Sequence, residues 1–169
     1  MMECLRPLSE RHDLECLCDL FWEENEETLP HCPVFWSRQD CEHWIREKFP
    51  DCYHDVYLWK EQDGEKVLTA GFLFSYDYHV YDGHCRVFAH FEPKADGTEA
   101  LRKFLQILFR EYPLRKVFLE ASDLSIPLLE TAKSVGFSEE ARLLEYRYIR
   151  GAYHDVFILG LPRSVMTDT

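Results

Sequence analysis

Hydrophobic residues recur along the chain with two different periods, and the change from one to the other marks out its elements. Glu3 to Leu8 reads as a short opening strand ended by Pro7. Leu14, Leu17, Cys18 and Phe21 then repeat at three- and four-residue steps, the spacing of one face of a helix. Ser9 is placed to cap that helix, which is expected to run to about Glu27 before Leu29-Pro30-His31-Cys32-Pro33 breaks it. A second helix is expected after Ser37, carrying Trp44, Ile45 and Phe49 and stopping at Pro50. From there the period falls to two. Asp55 to Glu61 is a strand, Gln62-Asp63-Gly64 a hairpin turn, and Glu65 to Tyr78 a strand with Leu68, Ala70, Phe72, Phe74 and Tyr76 on one face. After Tyr81-Asp82-Gly83, His84 to Glu92 alternates with Cys85, Val87, Ala89 and Phe91 on one side.

The helical period returns over Gly97 to Tyr112, where Leu101, Phe104, Leu105, Leu108 and Tyr112 share a face and Pro113 ends the run. Lys116 to Ala121 is a short strand. Ser125 and Pro127 open a further helix with Leu128, Leu129, Ala132 and Val135 inward, and Gly136 stands where a left-handed terminal residue belongs. Ala141 to Ile149 and Tyr153 to Leu159 are two last strands joined by Arg150-Gly151. The order implies an α/β (α+β) fold. A mixed central sheet of about seven strands is flanked by about four helices, and the middle strand-helix-strand unit supplies a parallel pair. With no repeat or linker, residues 1–169 form one domain.

Composition narrows the function. Hydrophobic residues make up 46% and aromatics 15% of the 169 residues, enough to fill a core without covalent staples. The formal charge of -12 disfavours nucleic acid and an anionic membrane surface, both of which call for a basic patch. The N-terminal residues lack the basic-then-apolar build of a signal peptide, so the expected location is cytoplasmic, with the seven cysteines reduced. His31-Cys32, Cys41-x-His43 and Cys52-x-His54 recur at similar intervals. Cys41 and His43 lie two apart on a helix and so point to different faces, and the ligand spacing is looser than structural zinc uses; no metal is expected.

Three stretches, in this order and spacing, resemble the GNAT superfamily of acyl-CoA N-acyltransferases, in particular its ribosomal-protein and polyamine N-acetyltransferase branch. Gly97-Thr98-Glu99-Ala100-Leu101 is similar to the opening of the family's cofactor helix. Ser134-Val135-Gly136-Phe137 is similar to the end of its next helix, and Gly151-x-Tyr153-x-Asp155 to its final hairpin. The resemblance implies that acetyl-CoA, as cosubstrate, lies between two central parallel strands. Its pyrophosphate would rest on backbone N–H groups at a helix N-terminus, where unpaired donors and a partial positive charge favour an anion. Lys94, Asp96, Gly97, Thr98 and Glu99 are then the expected pyrophosphate contacts, with the pantetheine arm along Ala89-His90-Phe91. An amine would attack the thioester directly, with His90 or Glu92 as base and Ser134 near the leaving thiolate. The acceptor wall would be Glu23, Glu24, Glu26, Glu27 and Trp36, a combination of acid and aromatic suited to an ammonium group. The resemblance also leaves a homodimer through the final strands open.

The cofactor loop departs from the family's Gln/Arg-x-x-Gly-x-Gly/Ala pattern. It reads Pro93-Lys94-Ala95-Asp96-Gly97-Thr98-Glu99-Ala100: with Gly97 as the first motif glycine, Lys94 stands at the Gln/Arg position and Glu99 where Gly or Ala belongs, and with Gly97-Thr98-Glu99-Ala100 matched to the helix opening the preceding loop is too short. Asp96 and Glu99 have the spacing of a capping box, which would occupy the N–H groups that a diphosphate needs. Two readings follow. One is an acetyl-CoA-dependent N-acetyltransferase acting on a primary amine of a small cationic or protein substrate. The other is a catalytically inactive GNAT-fold module that binds or interacts.

Overall fold

The computed structural model describes residues 2–7, 11–23, 36–49, 53–63, 66–79, 82–91 and 97–167. Its elements, in chain order, are β1 (Met2–Pro7), α1 (Arg11–Glu23), α2 (Arg38–Glu47), β2 (Tyr53–Asp63), β3 (Lys66–His79) and β4 (His84–Phe91). There follow α3 (Thr98–Glu111), β5 (Lys116–Ser122), α4 (Ile126–Val135), β6 (Ser138–Ile149), β7 (Ala152–Pro162) and a single-turn α5 (Arg163–Thr167). The seven strands form one sheet in the order β1-β2-β3-β4-β5-β7-β6. Every neighbouring pair is antiparallel except β4 and β5, which run parallel because α3 carries the chain back between them.

Both faces of the sheet are covered, and Phe72, Phe74 and Tyr76 of β3 share one of them, as their alternation leads one to expect. Phe72, Phe74 and Tyr76 pack with Phe88 of β4 against Leu17 and Phe21 of α1 and Cys41 and Ile45 of α2. On the opposite face, Leu73 of β3 packs with Cys85, Val87 and Ala89 of β4 against Ala100, Leu101, Phe104, Leu105 and Leu108 of α3 and Ala132 and Val135 of α4. Alternation along β3 therefore separates two cores rather than a core and solvent.

Local chemistry explains most helix ends. The Ser37 hydroxyl accepts the Asp40 N–H at 3.1 Å, so α2 is capped by the residue its sequence offers. Gly136 closes α4 with φ +113°, and the Phe137 N–H reaches back to the Ala132 carbonyl at 3.0 Å, a left-handed termination for which glycine is the favoured residue. Of two other expected caps, Ser125 holds its position without a side-chain bond and Asp96 gives way to its neighbour. Ser125 has φ -96° and ψ 47° and makes no side-chain capping bond; its backbone N–H donates instead to the Ser122 carbonyl. The cap of α3 is Gly97 rather than Asp96, so Glu99 stands second in the helix and not at the third position of a capping box. Asp96 itself lies outside the described residues, as does the expected end of the first helix beyond Glu23.

Candidate functional site

β4 and β5 pair over only four residues each, from His84 opposite Lys116 to Val87 opposite Leu119. Past that point each strand keeps its outer neighbour and loses its inner one. β4 continues to pair with β3 as far as Phe91 opposite Gly71. β5 continues to pair with β7 as far as Ser122 opposite Val156. The sheet thus opens along the C-terminal ends of its two parallel strands, between Phe88–Phe91 and Glu120–Ser122. This is where an open α/β sheet places its ligand: backbone donors and acceptors on both rims can pair with an extended guest, and the crossover helix begins nearby.

α3 starts at that opening. Its cap, Gly97, brings no side chain, and the Phe91 ring lies directly against it. A Cβ at Gly97 would fall inside the ring, so this glycine is required by close approach rather than by its φ of -82°. The charge of Glu99 is compensated along the helix, with Arg102 Nη1 at 3.2 Å and Lys103 Nζ at 3.7 Å. Lys103 also lies over the Trp59 ring, 5.2 Å from its centroid. The first turns of α3 therefore present two cations beside the one carboxylate.

The other expected site residues divide into groups. Ala89 is buried in the core under α3, and half-buried His90 lies on the opposite face, two residues beyond Phe88, at the rim of the opening. Lys94 and Glu92 fall outside the described residues, as do Glu24, Glu26 and Glu27. Glu23 is the last residue of α1. Trp36 is 93% exposed just before the cap of α2. Ser134 is not brought to the opening. It lies in the last turn of α4, exposed, with its hydroxyl donating to the Glu130 carbonyl at 2.9 Å. The adjoining Gly136 packs on Leu161 and Val165, at the end of the sheet where β5 begins.

A polar group that the sequence did not reveal stands at the C-terminal end of β5. His154 Nδ1 is 2.8 Å from Asp123 Oδ1, and Asp123 Oδ2 accepts the Asp155 N–H at 3.3 Å. Asp155 in turn receives Arg142 Nε at 2.8 Å and the Glu145 N–H at 2.8 Å. Those bonds, the backbone one first, hold its carboxyl below the usual carboxylate range. Beside them the Ser122 hydroxyl is buried, 2% exposed, with no hydrogen-bond partner among the described residues. Asp123 and His154 lie 31 positions apart, so no local motif could have joined them. The one available signal was Asp155, within the Gly151-x-Tyr153-x-Asp155 stretch.

A mixed seven-stranded sheet that opens between its parallel strands, with the crossover helix starting at the opening, is the architecture of the GNAT acyl-CoA N-acyltransferases, and this chain has that fold. Solved structures agree. A spermidine N-acetyltransferase from Vibrio cholerae, in complex with CoA and spermine, is similar with a TM-score of 0.77 and 19% identity, over 98% of this chain and 98% of that one. The spermidine/spermine N-acetyltransferase SpeG from Vibrio cholerae, in complex with manganese ions, is similar with a TM-score of 0.76 and 19% identity, over 98% and 95% of the two chains. No family model matches the sequence, and no curated protein matches it.

Proposed function

We propose that the protein is an acetyl-CoA-dependent N-acetyltransferase acting on a primary amine of a small cationic substrate. The observation that carries this reading is the opening between β4 and β5 with the glycine-capped start of α3 beside it. The residues present suit acetyl-CoA. Beyond its last pair with β5, β4 at Ala89–Phe91 borders the opening and offers strand pairing to the amides of a pantetheine arm, and the N-terminus of α3, flanked by Arg102 and Lys103, suits a diphosphate. Acetyl-CoA supplies an activated acyl group whose thiolate leaves readily. The chain's own task is to fix the arm, admit an amine from the opposite side and accept its proton. On the β4 side, His90 and Glu92 are the groups proposed for that last role. The preference for a cation rests on the formal charge of -12 and on the Glu23–Glu27 stretch with Trp36. It is supported by the similar spermidine N-acetyltransferase, which was solved with spermine.

Titration calorimetry with acetyl-CoA, followed by mass spectrometry of spermine incubated with both, tests the proposal. Micromolar binding and a monoacetylated polyamine are expected. Absence of CoA binding would instead make the chain a GNAT-fold interaction module. The same fold leaves β6 as an edge strand on which Leu144, Tyr146 and Tyr148 are exposed, with Tyr153 exposed on the adjoining β7. An apolar edge of this kind calls for a cover, and we propose a homodimer through it, checked by sedimentation of the wild type against Tyr146→Glu.

A further inference from the structure

Transfer to an amine needs a group that takes a proton at the opening, and the β5 side carries one already oriented. We propose that His154, held by Asp123, accepts the proton of the attacking amine, with the Ser122 hydroxyl lying between the ring and the opening. The inference rests on the acyltransfer reading and adds residues on the rim opposite His90.

Three observations lead to it. First, the ring is fixed by a carboxylate. Asp123 Oδ1 engages Nδ1 at 2.8 Å while Oδ2 is anchored by the Asp155 N–H, so the carboxylate cannot swing away. A carboxylate is an acceptor, so Nδ1 carries the hydrogen, and the lone pair of the neutral ring is on Nε2. Second, Ser122 is the last residue of β5 opposite β7, beyond the last β4–β5 pair and at the rim of the opening. It shares a sheet face with Val156, its direct partner. His154, two residues before Val156, is its diagonal neighbour on that face. Third, the Ser122 hydroxyl is buried without a partner among the described residues, whereas buried hydroxyls are normally bonded. The hydroxyl therefore has a donor and an acceptor to offer an incoming group.

The proton balance closes without a further reactant. An ammonium substrate loses two protons as its N–C bond forms and the C–S bond breaks. One passes to His154 Nε2 and on to solvent; the other neutralises the departing thiolate. The charges around the ring are Asp123 on the β5–α4 turn, Asp155 on its own strand, and Arg147 and Arg142 on β6. Arg147 is opposite His154 in the register, and Arg142 is engaged by Asp155. Asp123 is a positioning residue.

Two measurements test this. Nitrogen-15 spectra of histidine-labelled, unliganded protein should show the neutral His154 ring protonated at Nδ1, with that preference lost in Asp123→Asn; a neutral ring protonated at Nε2 overturns the proposal. In acetyl-CoA and spermine turnover, His154→Gln should lower kcat about 10²-fold, leave KM for acetyl-CoA unchanged and remove the acidic limb of the pH profile. Ser122→Ala removes only an unbonded hydroxyl and should also slow kcat, which keeps the test intact if His154→Gln fails to fold. An active wild type whose His154→Gln or Ser122→Ala variant keeps its rate and acidic limb, while His90→Gln loses them, overturns this inference alone. A wild type that binds no acetyl-CoA and acetylates no amine overturns the acyltransfer reading and this inference with it.

Discussion

Phe91 lies between two glycines, opposite Gly71 on β3 and against Gly97 at the start of α3, and a Cβ at either position would run into its ring. Gly97→Ala should therefore destabilise the fold by roughly 1–3 kcal/mol, the cost of overpacking, although alanine suits the backbone at φ -82°. Chemical denaturation of Gly97→Ala, Phe91→Leu and the double variant checks it: the double variant should recover much of the loss, and simple additivity would show that ring and glycine are not coupled. Burial, with Asp55 contributing, pushes the Cys85 thiol up to about 12, and burial likewise raises Cys41 to about 11. Both should resist thiol reagents at pH 8 in the folded protein and react once denatured, as peptide mapping by mass spectrometry would show. At this scale the sequence disclosed the residues whose neighbours are local. It placed His90 within β4 and gave Gly136 its left-handed role. Ser122, Asp123 and His154 were not legible, because their association depends on the β5–β7 register and leaves no spacing rule behind.

The β6–β7 hairpin is held at its open side by Asp155, which joins Arg142 and the Glu145 backbone of β6 to its own strand. Glu145 has φ +49° and sits within the register shift between Leu143 and Arg147, so the Asp155 carboxylate fastens a bulge that regular pairing cannot. Because its carboxyl is held below the ordinary value, the contribution is present above about pH 4 and is lost as the pH falls through the lower folded value. Asp155→Asn should accordingly lower the melting temperature at neutral pH and reduce the acid dependence of stability; parallel melting curves for the two proteins at every pH would sink this account. Elements with a full period were readable in advance, and their order matches the expectation throughout. α5 was not, since the five residues from Arg163 to Thr167 are too few to show a period. The strand limits of β6 and β7 fell short because pairing to a neighbour extends each beyond its own hydrophobic run.

Across the molecule, the sheet consists of a four-stranded part, β1 to β4, and a three-stranded part, β5 to β7, joined along His84–Val87 and Lys116–Leu119. Arg86 of β4 reinforces that join, with its guanidinium paired to Glu120 of β5 and lying 3.6 Å from Asp77 of β3. If acetyl-CoA fills the opening beyond it, amide exchange at Phe88–Phe91 and around Glu120–Ser122 should slow on binding. Saturation at about 100 times Kd should add about 2.7 kcal/mol to global stability. Protection confined to the β6–β7 hairpin would place the ligand elsewhere. Architecture at this scale was the most legible of all, because a strand-helix-strand unit beside a meander leaves few ways to build one sheet.

That short parallel join has a consequence for how the chain acquires its shape. The β2–β3, β3–β4 and β6–β7 pairs are each closed by a brief connection, whereas β4 meets β5 only after the whole of α3 has been laid down between them. Loop-closure entropy therefore favours early zipping of the hairpins and late docking of the two parts. The stretch that stays apart, where acetyl-CoA is proposed to lie, is thus the continuation of the seam that closes last, so the opening can be kept by halting a folding step rather than by undoing one.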